Sequence, residues 1–109
     1  MSKERAKGTR FETEVLELAL ARGFVDARRT GSADQASGDI LGVAEFVIEC
    51  KNQREMRLAG WVDQAVRATF MSDEPAGFPV VVHKRPRKSA AYAYATMEYH
   101  DLLDLATLL

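Results

Sequence analysis

The chain has little cysteine and little histidine, which excludes two common ways of stabilising a small protein. Its single cysteine, Cys50, cannot form an internal disulfide and suits a reducing compartment. One cysteine with two histidines, His83 and His100, also argues against a zinc site. The fold is therefore expected to depend on an ordinary apolar core.

A long apolar run and a large net charge are missing as well. No run is long enough to cross a membrane, and the charged segment 1–5 lacks the apolar stretch of a signal peptide. We therefore expect a cytoplasmic protein. An apolar content of 47% and a charged content of 28% are typical of a soluble globule, and 109 residues suit a single domain over 1–109.

The net charge of −1 does not indicate a nucleic-acid-binding protein, but the basic residues are clustered. They crowd the first ten residues, form a pair at Arg28 and Arg29, and are densest over 84–88. Such patches can bind phosphates on a nearly neutral domain, although a solvated surface explains any single patch equally well.

Apolar periodicity predicts an α/β fold with the order α-β-β-β-α-β-β-α. The pattern T-x-x-E over 9–12 predicts a capping box at the start of the first helix, and Gly23 predicts its end. Small polar residues predict a loop over 30–38. The predicted strands are 25–29, 39–43, 46–51, 78–83 and 92–97, and the later helices are 57–71 and 99–109.

The most informative feature is Gly38-Asp39 followed by Glu49-Cys50-Lys51. Because side chains alternate along a strand, Glu49 and Lys51 share one face and Cys50 points away. The pair could be an edge-strand ion pair, but charges in so apolar a strand need a partner or a metal. Two carboxylates and an ammonium are the minimum set for binding a divalent cation and hydrolysing a phosphodiester.

The expected roles follow from charge. Asp39 and Glu49 offer hard oxygen ligands for Mg²⁺ or Mn²⁺, and the Cys50 backbone carbonyl could complete the coordination. Lys51 could orient a metal-activated water or neutralise the scissile phosphate. Taken alone, Asp39 fits a turn residue after glycine better than it fits a metal ligand.

Three further polar residues leave two interpretations each. Glu12 is either part of the helix cap or an inward-facing acid that adds a metal ligand. Gln64 is either an exposed helical residue or an amide that contacts the site. Ser32 either contacts a phosphate or is an ordinary loop serine.

The order and spacing of these residues resemble the PD-(D/E)xK nuclease superfamily, and within it the small archaeal-type and phage Holliday junction resolvases. The resemblance covers residues 7 to about 85 and rests on Glu12, Arg28-Arg29-Thr30-Gly31-Ser32, Gly38-Asp39-Ile40, Glu49-Cys50-Lys51 and Gln64. It implies a restriction-endonuclease-like mixed β-sheet flanked by helices. Gly38 stands where the family motif often has proline, which alters backbone stiffness but removes no chemical group.

By position, the resemblance implies that Asp39 and Glu49 bind the metal and that Lys51 is the catalytic lysine. Glu12 would be the acid of the first helix, Ser32 would lie near the scissile phosphate, and Gln64 would support the site. The residues expected to contact DNA are Arg10, Arg28, Arg29, Ser32, Lys84, Arg85, Arg87 and Lys88.

The implied activity is metal-dependent, structure-selective cleavage of branched DNA by a Holliday junction resolvase, in recombination and repair. Two symmetric nicks need two sites, so a homodimer is implied, with the apolar tail or the second helix at its interface. The implied location is the cytoplasm of a prokaryotic cell or a phage-infected host. The alternatives are a nicking, exonucleolytic or restriction-like nuclease of the same superfamily, or a non-catalytic DNA-binding protein.

Overall fold

The computed structural model describes residues 2–30 and 39–109, and it confirms the α/β class and the predicted order of elements. The predicted loop residues Ser32 and Gly38 lie outside this part of the chain. The elements are α1 (Lys3–Ala21), β1 (Arg28–Arg29), β2 (Ile40–Val43), β3 (Phe46–Lys51), α2 (Leu58–Met71), β4 (Phe78–His83), β5 (Tyr94–Thr96) and α3 (Tyr99–Ala106), with a short 3-10 turn at Ala90–Tyr92.

The first helix begins earlier than predicted. Its N-cap is Ser2, whose hydroxyl oxygen accepts a hydrogen bond from the Arg5 N–H at 3.1 Å. Segment 3–7 consists of good helix formers, so the helix continues through the T-x-x-E pattern instead of starting there. The capping-box prediction for Thr9 and Glu12 is therefore wrong, and Glu12 lies well inside α1.

The end of α1 agrees with the prediction. Gly23 follows the C-cap with φ of 96°, a conformation that glycine adopts without steric cost. The Phe24 N–H donates to the Ala19 carbonyl at 3.2 Å, and the Gly23 N–H donates to the Leu20 carbonyl at 3.0 Å. These two bonds form a Schellman motif that satisfies the last carbonyls of the helix.

The five strands form one mixed sheet in the order β1-β2-β3-β4-β5. β3 and β4 are parallel and pair in register over their whole length, while the other three pairs are antiparallel. Parallel neighbours need a crossover connection, and α2 supplies it. The crossover places α2 against β3 and β4, where the site residues of β3 lie.

The two long helices cover opposite faces of the sheet. On one face, Phe11 and Val15 of α1 pack with Ile40, Ile48 and Cys50 in a buried cluster. On the other face, Trp61 and Ala65 of α2 pack with Val81. Because Cys50 faces α1, its neighbours Glu49 and Lys51 face α2, as the alternation predicts.

We expect Gly42→Ala to destabilise the fold strongly, because the β2 backbone passes very close to the segment before β1. A Cβ at Gly42 would lie 2.1 Å from the Asp26 carbonyl oxygen, at a φ of +86°. The clash and the strained backbone should cost at least about 2 kcal/mol of unfolding free energy.

The matched control is Gly60→Ala inside α2, where a Cβ would have nothing within 4 Å. Alanine there should raise the unfolding free energy by up to about 1 kcal/mol. Urea denaturation measures both variants. Equal effects of the two substitutions would contradict the close approach of Gly42 to Asp26.

Candidate active site

Asp39 lies at the end of an inner strand of the sheet, immediately before β2. Its N–H donates to the Ile48 carbonyl at 3.0 Å, and its Oδ2 accepts from the Cys50 N–H at 2.7 Å. β3 runs past the start of β2 here, so the Asp39 carboxylate takes the place of a strand partner. The N–H and C=O of one strand residue point toward the same neighbouring strand, so the Cys50 carbonyl is also directed toward the side where Asp39 lies.

Gln64 of α2 links two candidate site residues of β3. Its Oε1 accepts a hydrogen bond from Lys51 Nζ at 2.8 Å, and its Nε2 donates to Glu49 Oε1 at 3.4 Å. Glu49 is only 5% exposed. Of the two interpretations left open for Gln64, the structure therefore favours the amide that contacts the site.

Glu12 approaches Asp39 from the opposite face of the sheet, closely enough for the two carboxyl groups to affect each other's pKa. Arg29 holds Glu12 in place, with its Nε 3.9 Å from Glu12 Oε2. The Arg29 guanidinium also donates to the Thr9 carbonyl at 3.0 Å and to the Thr13 hydroxyl. Asp39 thus meets one glutamate from each face of the sheet.

Burial raises the pKa values of all three acids, and repulsion from Asp39 adds to the rise for the two glutamates. Burial, followed by repulsion from Asp39, raises the pKa of Glu49 to about 8. Burial and the same repulsion raise the pKa of Glu12 to about 7, although Arg29 opposes the rise. Burial also raises the pKa of Asp39, against the opposing effect of the Cys50 N–H. Near neutral pH Glu49 therefore retains its proton, and Glu12 is close to half protonated.

The donor types around Asp39 suit a hard divalent cation, but the three carboxyl groups are spaced more widely than a compact ligand set. Within the described ranges, Glu49 Oε2 is the one buried side-chain oxygen that accepts no hydrogen bond. A buried, ionised carboxylate is costly unless a proton or a cation compensates it. Oxygen atoms of Asp39, Glu49, Glu12 and the Cys50 backbone are ligands that suit Mg²⁺ or Mn²⁺. The Cys50 thiol itself packs in the core, and burial raises its pKa.

A basic cleft of about 640 Å³ opens between the start of α1, the segment after β3 and the turn after β4. A smaller cleft lined by Lys51 adjoins it and shares Asn52, Gln53 and Arg54 with it. Two acids also line the basic cleft, Glu4 and Glu14. Its cationic lining residues are Lys7, Arg10, Arg54, Lys84, Arg85 and Arg87.

The structure gathers only part of the residues predicted to bind DNA. Arg10, Lys84, Arg85 and Arg87 line the basic cleft. Lys88 is exposed, and its carbonyl accepts a bond from Lys84 Nζ at 2.8 Å.

The arginine pair of β1 lies apart from this cleft. Arg28 donates to the Asp26 carbonyl at 3.3 Å, and Arg29 is engaged with α1. Ser32 lies outside the described residues. Sequence reasoning missed the contact of Arg29 with Glu12, which no local pattern indicates.

A second group of possible metal ligands lies at the start of α3. Ligand atoms of Glu98, His100 and Asp101 all lie within 4.8 Å of one another. His100 Nε2 is 3.3 Å from Glu98 Oε1, and its Nδ1 is 3.4 Å from Asp101 Oδ1. Glu98 and Asp101 thus already pair with the imidazole, and the group is largely exposed. Glu12 and Glu49 approach Asp39 from two faces of the sheet, so these three carboxyl groups are spaced more widely than the group at the start of α3.

Comparison of the chain with protein-family models, with curated proteins and with solved structures found no match. Within the described ranges, none of the helices has the length and apolar character that a membrane span requires. The likeness to the nuclease superfamily therefore stays a prediction that depends on the site residues.

We expect Glu49→Gln to stabilise the metal-free protein at alkaline pH. The folded chain holds a proton on Glu49 up to a pKa of about 8, whereas the ordinary value is 4.5. Stability from this proton is complete below the lower pKa and is lost as the pH rises through the higher one. Glutamine keeps the carbonyl that accepts from Gln64 and removes the charge.

The melting temperature in EDTA checks this expectation. The variant should melt roughly 4 °C or more above wild type at about pH 8.5, and the difference should shrink toward about pH 5. Asp63→Asn, at an exposed position of α2, should show no such pH-dependent gain. A Glu49→Gln protein that is less stable at every pH would contradict carboxylate repulsion at the site.

Proposed function

We propose that the protein is a divalent-metal-dependent, structure-selective DNA endonuclease of the PD-(D/E)xK type, acting as a Holliday junction resolvase. The observation that carries this proposal is the approach of Asp39 to Glu49 beside the Lys51 ammonium, and Lys51 lines the smaller cleft that adjoins the basic cleft. The enzyme would use Mg²⁺ or Mn²⁺. It would serve recombination and repair in the cytoplasm of a prokaryotic cell or a phage-infected host.

Each site residue has a defined task in this proposal. Asp39 and Glu49 hold the cation, together with Glu12 and the Cys50 carbonyl. A bound cation supplies Lewis-acid stabilisation of the phosphate and a water of lowered pKa. Lys51 neutralises negative charge that develops on the scissile phosphate.

Gln64 is a positioning residue. Its amide holds the Lys51 ammonium at 2.8 Å and Glu49 at 3.4 Å, so one side chain sets the distance between the metal ligand and the lysine. Arg29 plays the corresponding part for Glu12 on the other face of the sheet.

The basic cleft supports a nucleic acid as the substrate. Its cations outnumber its acids, and it adjoins the smaller cleft that contains Lys51. Contacts from lysine and arginine to phosphates position a duplex without reading its sequence. Such contacts suit an enzyme that selects a junction by its shape.

The decisive experiment is cleavage of a labelled four-way junction beside linear duplex of the same sequence, with Mg²⁺ and with EDTA. We expect paired, metal-dependent nicks at the junction. Asp39→Asn and Glu49→Gln should lower the cleavage rate roughly 100-fold or more while junction binding in EDTA persists. Asp63→Asn is the matched control and should cut like wild type.

The alternatives give different results. Metal-dependent cutting of duplex or single strands would keep the active site and reject the resolvase. Binding without any cutting would favour a non-catalytic DNA-binding protein. Unchanged cleavage in both site variants would reject the assignment of Asp39 and Glu49.

We propose a homodimer as the active form, since two symmetric nicks need two sites. α3 contains no buried residue and exposes Tyr99, Leu102 and Leu103. The end of α2 exposes Phe70 and Met71, which are 72% and 66% exposed. Apolar side chains left in solvent at two places support a subunit interface there.

Multi-angle light scattering tests this interface. Wild type should have the mass of a dimer, and the double variant Leu102→Glu with Leu103→Glu should have the mass of a monomer, because buried carboxylates oppose association. Val25→Glu, at a residue that is 81% exposed before β1, is the control and should leave the mass unchanged. A monodisperse wild-type monomer at high concentration would contradict the proposal.

A further inference from the structure

One row of side chains crosses the sheet from the site to its outer edge. Lys51 of β3 pairs with His83 of β4, and His83 pairs with Tyr94 of β5. Directly paired residues on neighbouring strands point to the same face, so all three lie on the face that α2 covers. Two strand spacings place Tyr94 roughly 10 Å from Lys51.

The inner part of this row is buried. His83 is 4% exposed, and its Nε2 lies 2.9 Å from the Thr96 hydroxyl oxygen. Its ring centroid is 5.9 Å from that of Trp61 on one side and 5.9 Å from that of Tyr94 on the other. Tyr94 therefore makes an edge-on contact with the buried His83 ring.

The outer end of the row is open to solvent. Tyr94 is 54% exposed at the start of the edge strand β5. The Arg85 guanidinium carbon lies 4.5 Å from the centroid of the Tyr94 ring. Arg85 also lines the basic cleft, so the Tyr94–Arg85 pair lies at the border between that cleft and the edge of the sheet.

We propose that the Tyr94–Arg85 pair binds an unpaired nucleobase by stacking. Aromatic rings stack on every base, and a guanidinium can stack on bases and pair with phosphate. Because the ring is already oriented by His83, little conformational freedom would be lost when a base binds.

The position of the bound base rests on the proposed nuclease function. At about 3.4 Å per nucleotide along a stacked strand, 10 Å corresponds to roughly three nucleotides from the phosphate beside Lys51. The inferred substrate is thus DNA that exposes unpaired bases within a few nucleotides of the cut, as an opened branch point does. Uninterrupted duplex would leave the pair without a base.

The test is binding in EDTA, where no metal-dependent cutting takes place. Fluorescence anisotropy would compare a labelled single strand with blunt duplex of the same sequence, and 2-aminopurine in the single strand would report stacking. Tyr94→Ala should weaken single-strand binding about 10-fold and lose the quenching of 2-aminopurine, while duplex binding changes less than about twofold. Tyr94→Phe should behave like wild type, which shows that the ring and not the hydroxyl matters.

Tyr92→Ala is the matched control, because Tyr92 is 65% exposed on the 3-10 turn two residues earlier. The proposal is overturned by equal losses on single strand and duplex, by an equal effect of Tyr92→Ala, or by no effect of Tyr94→Ala. It is also overturned if Tyr94→Ala changes the mass in light scattering, which would assign the ring to a subunit contact. A melting curve of each variant checks that it folds. Tyr94→Trp is a second test of the ring, because it must keep single-strand binding.

The outcome separates the two proposals. Ring-dependent binding of single strands by a protein that never cuts would reject the nuclease and keep the stacking site. Metal-dependent cutting, with Tyr94→Ala binding like wild type, would keep the nuclease and reject the stacking site.

Discussion

The hydrogen bond between the Cys50 N–H and Asp39 Oδ2 is the constraint on which the candidate site depends. It satisfies a backbone donor where β3 extends beyond the first residue of β2. It also fixes the Asp39 carboxylate at the end of these two strands. Only a group at the end of the strands can meet side chains from both faces of the sheet. Glu12 approaches with α1 and Glu49 lies on the α2 side, and neither face alone would bring two glutamates to one aspartate.

This convergence opposes stability in the metal-free protein. Burial and repulsion from Asp39 raise the pKa values of Glu12 and Glu49, and Glu49 keeps a buried oxygen that accepts no hydrogen bond from the described residues. The apolar clusters on the two faces of the sheet offset this repulsion. Functional sites are often less stable than their surroundings in this way, because the groups that bind a ligand repel one another without it.

The distribution of charge follows the same geometry. The net charge is only −1, but one cleft is basic. It brings together cations from α1, from the segment after β3 and from the turn after β4. Residues that are far apart in the chain share this cleft because β3 and β4 are parallel neighbours. Their carboxyl ends, and the segments that follow them, therefore lie at the same edge of the sheet.

The sequence by itself determined the features that depend on local periodicity. The apolar, β-branched runs 46–51 and 78–83 predicted β3 and β4, and alternation along β3 predicted the shared face of Glu49 and Lys51. Local reasoning was wrong at Thr9, where a capping pattern lay within a helix that good helix formers had already begun at Lys3.

Only the tertiary structure decided the contacts between segments that are distant in the chain. The site-facing position of Glu12, the bridge that Gln64 makes from Lys51 to Glu49, and the engagement of Arg29 with α1 all depend on which helix covers which face. The face to which a strand residue points can be predicted from its neighbours along the chain, because side chains alternate with a period of two residues. The order of strands and the placement of helices are set by burial of the whole apolar surface, which no short segment encodes.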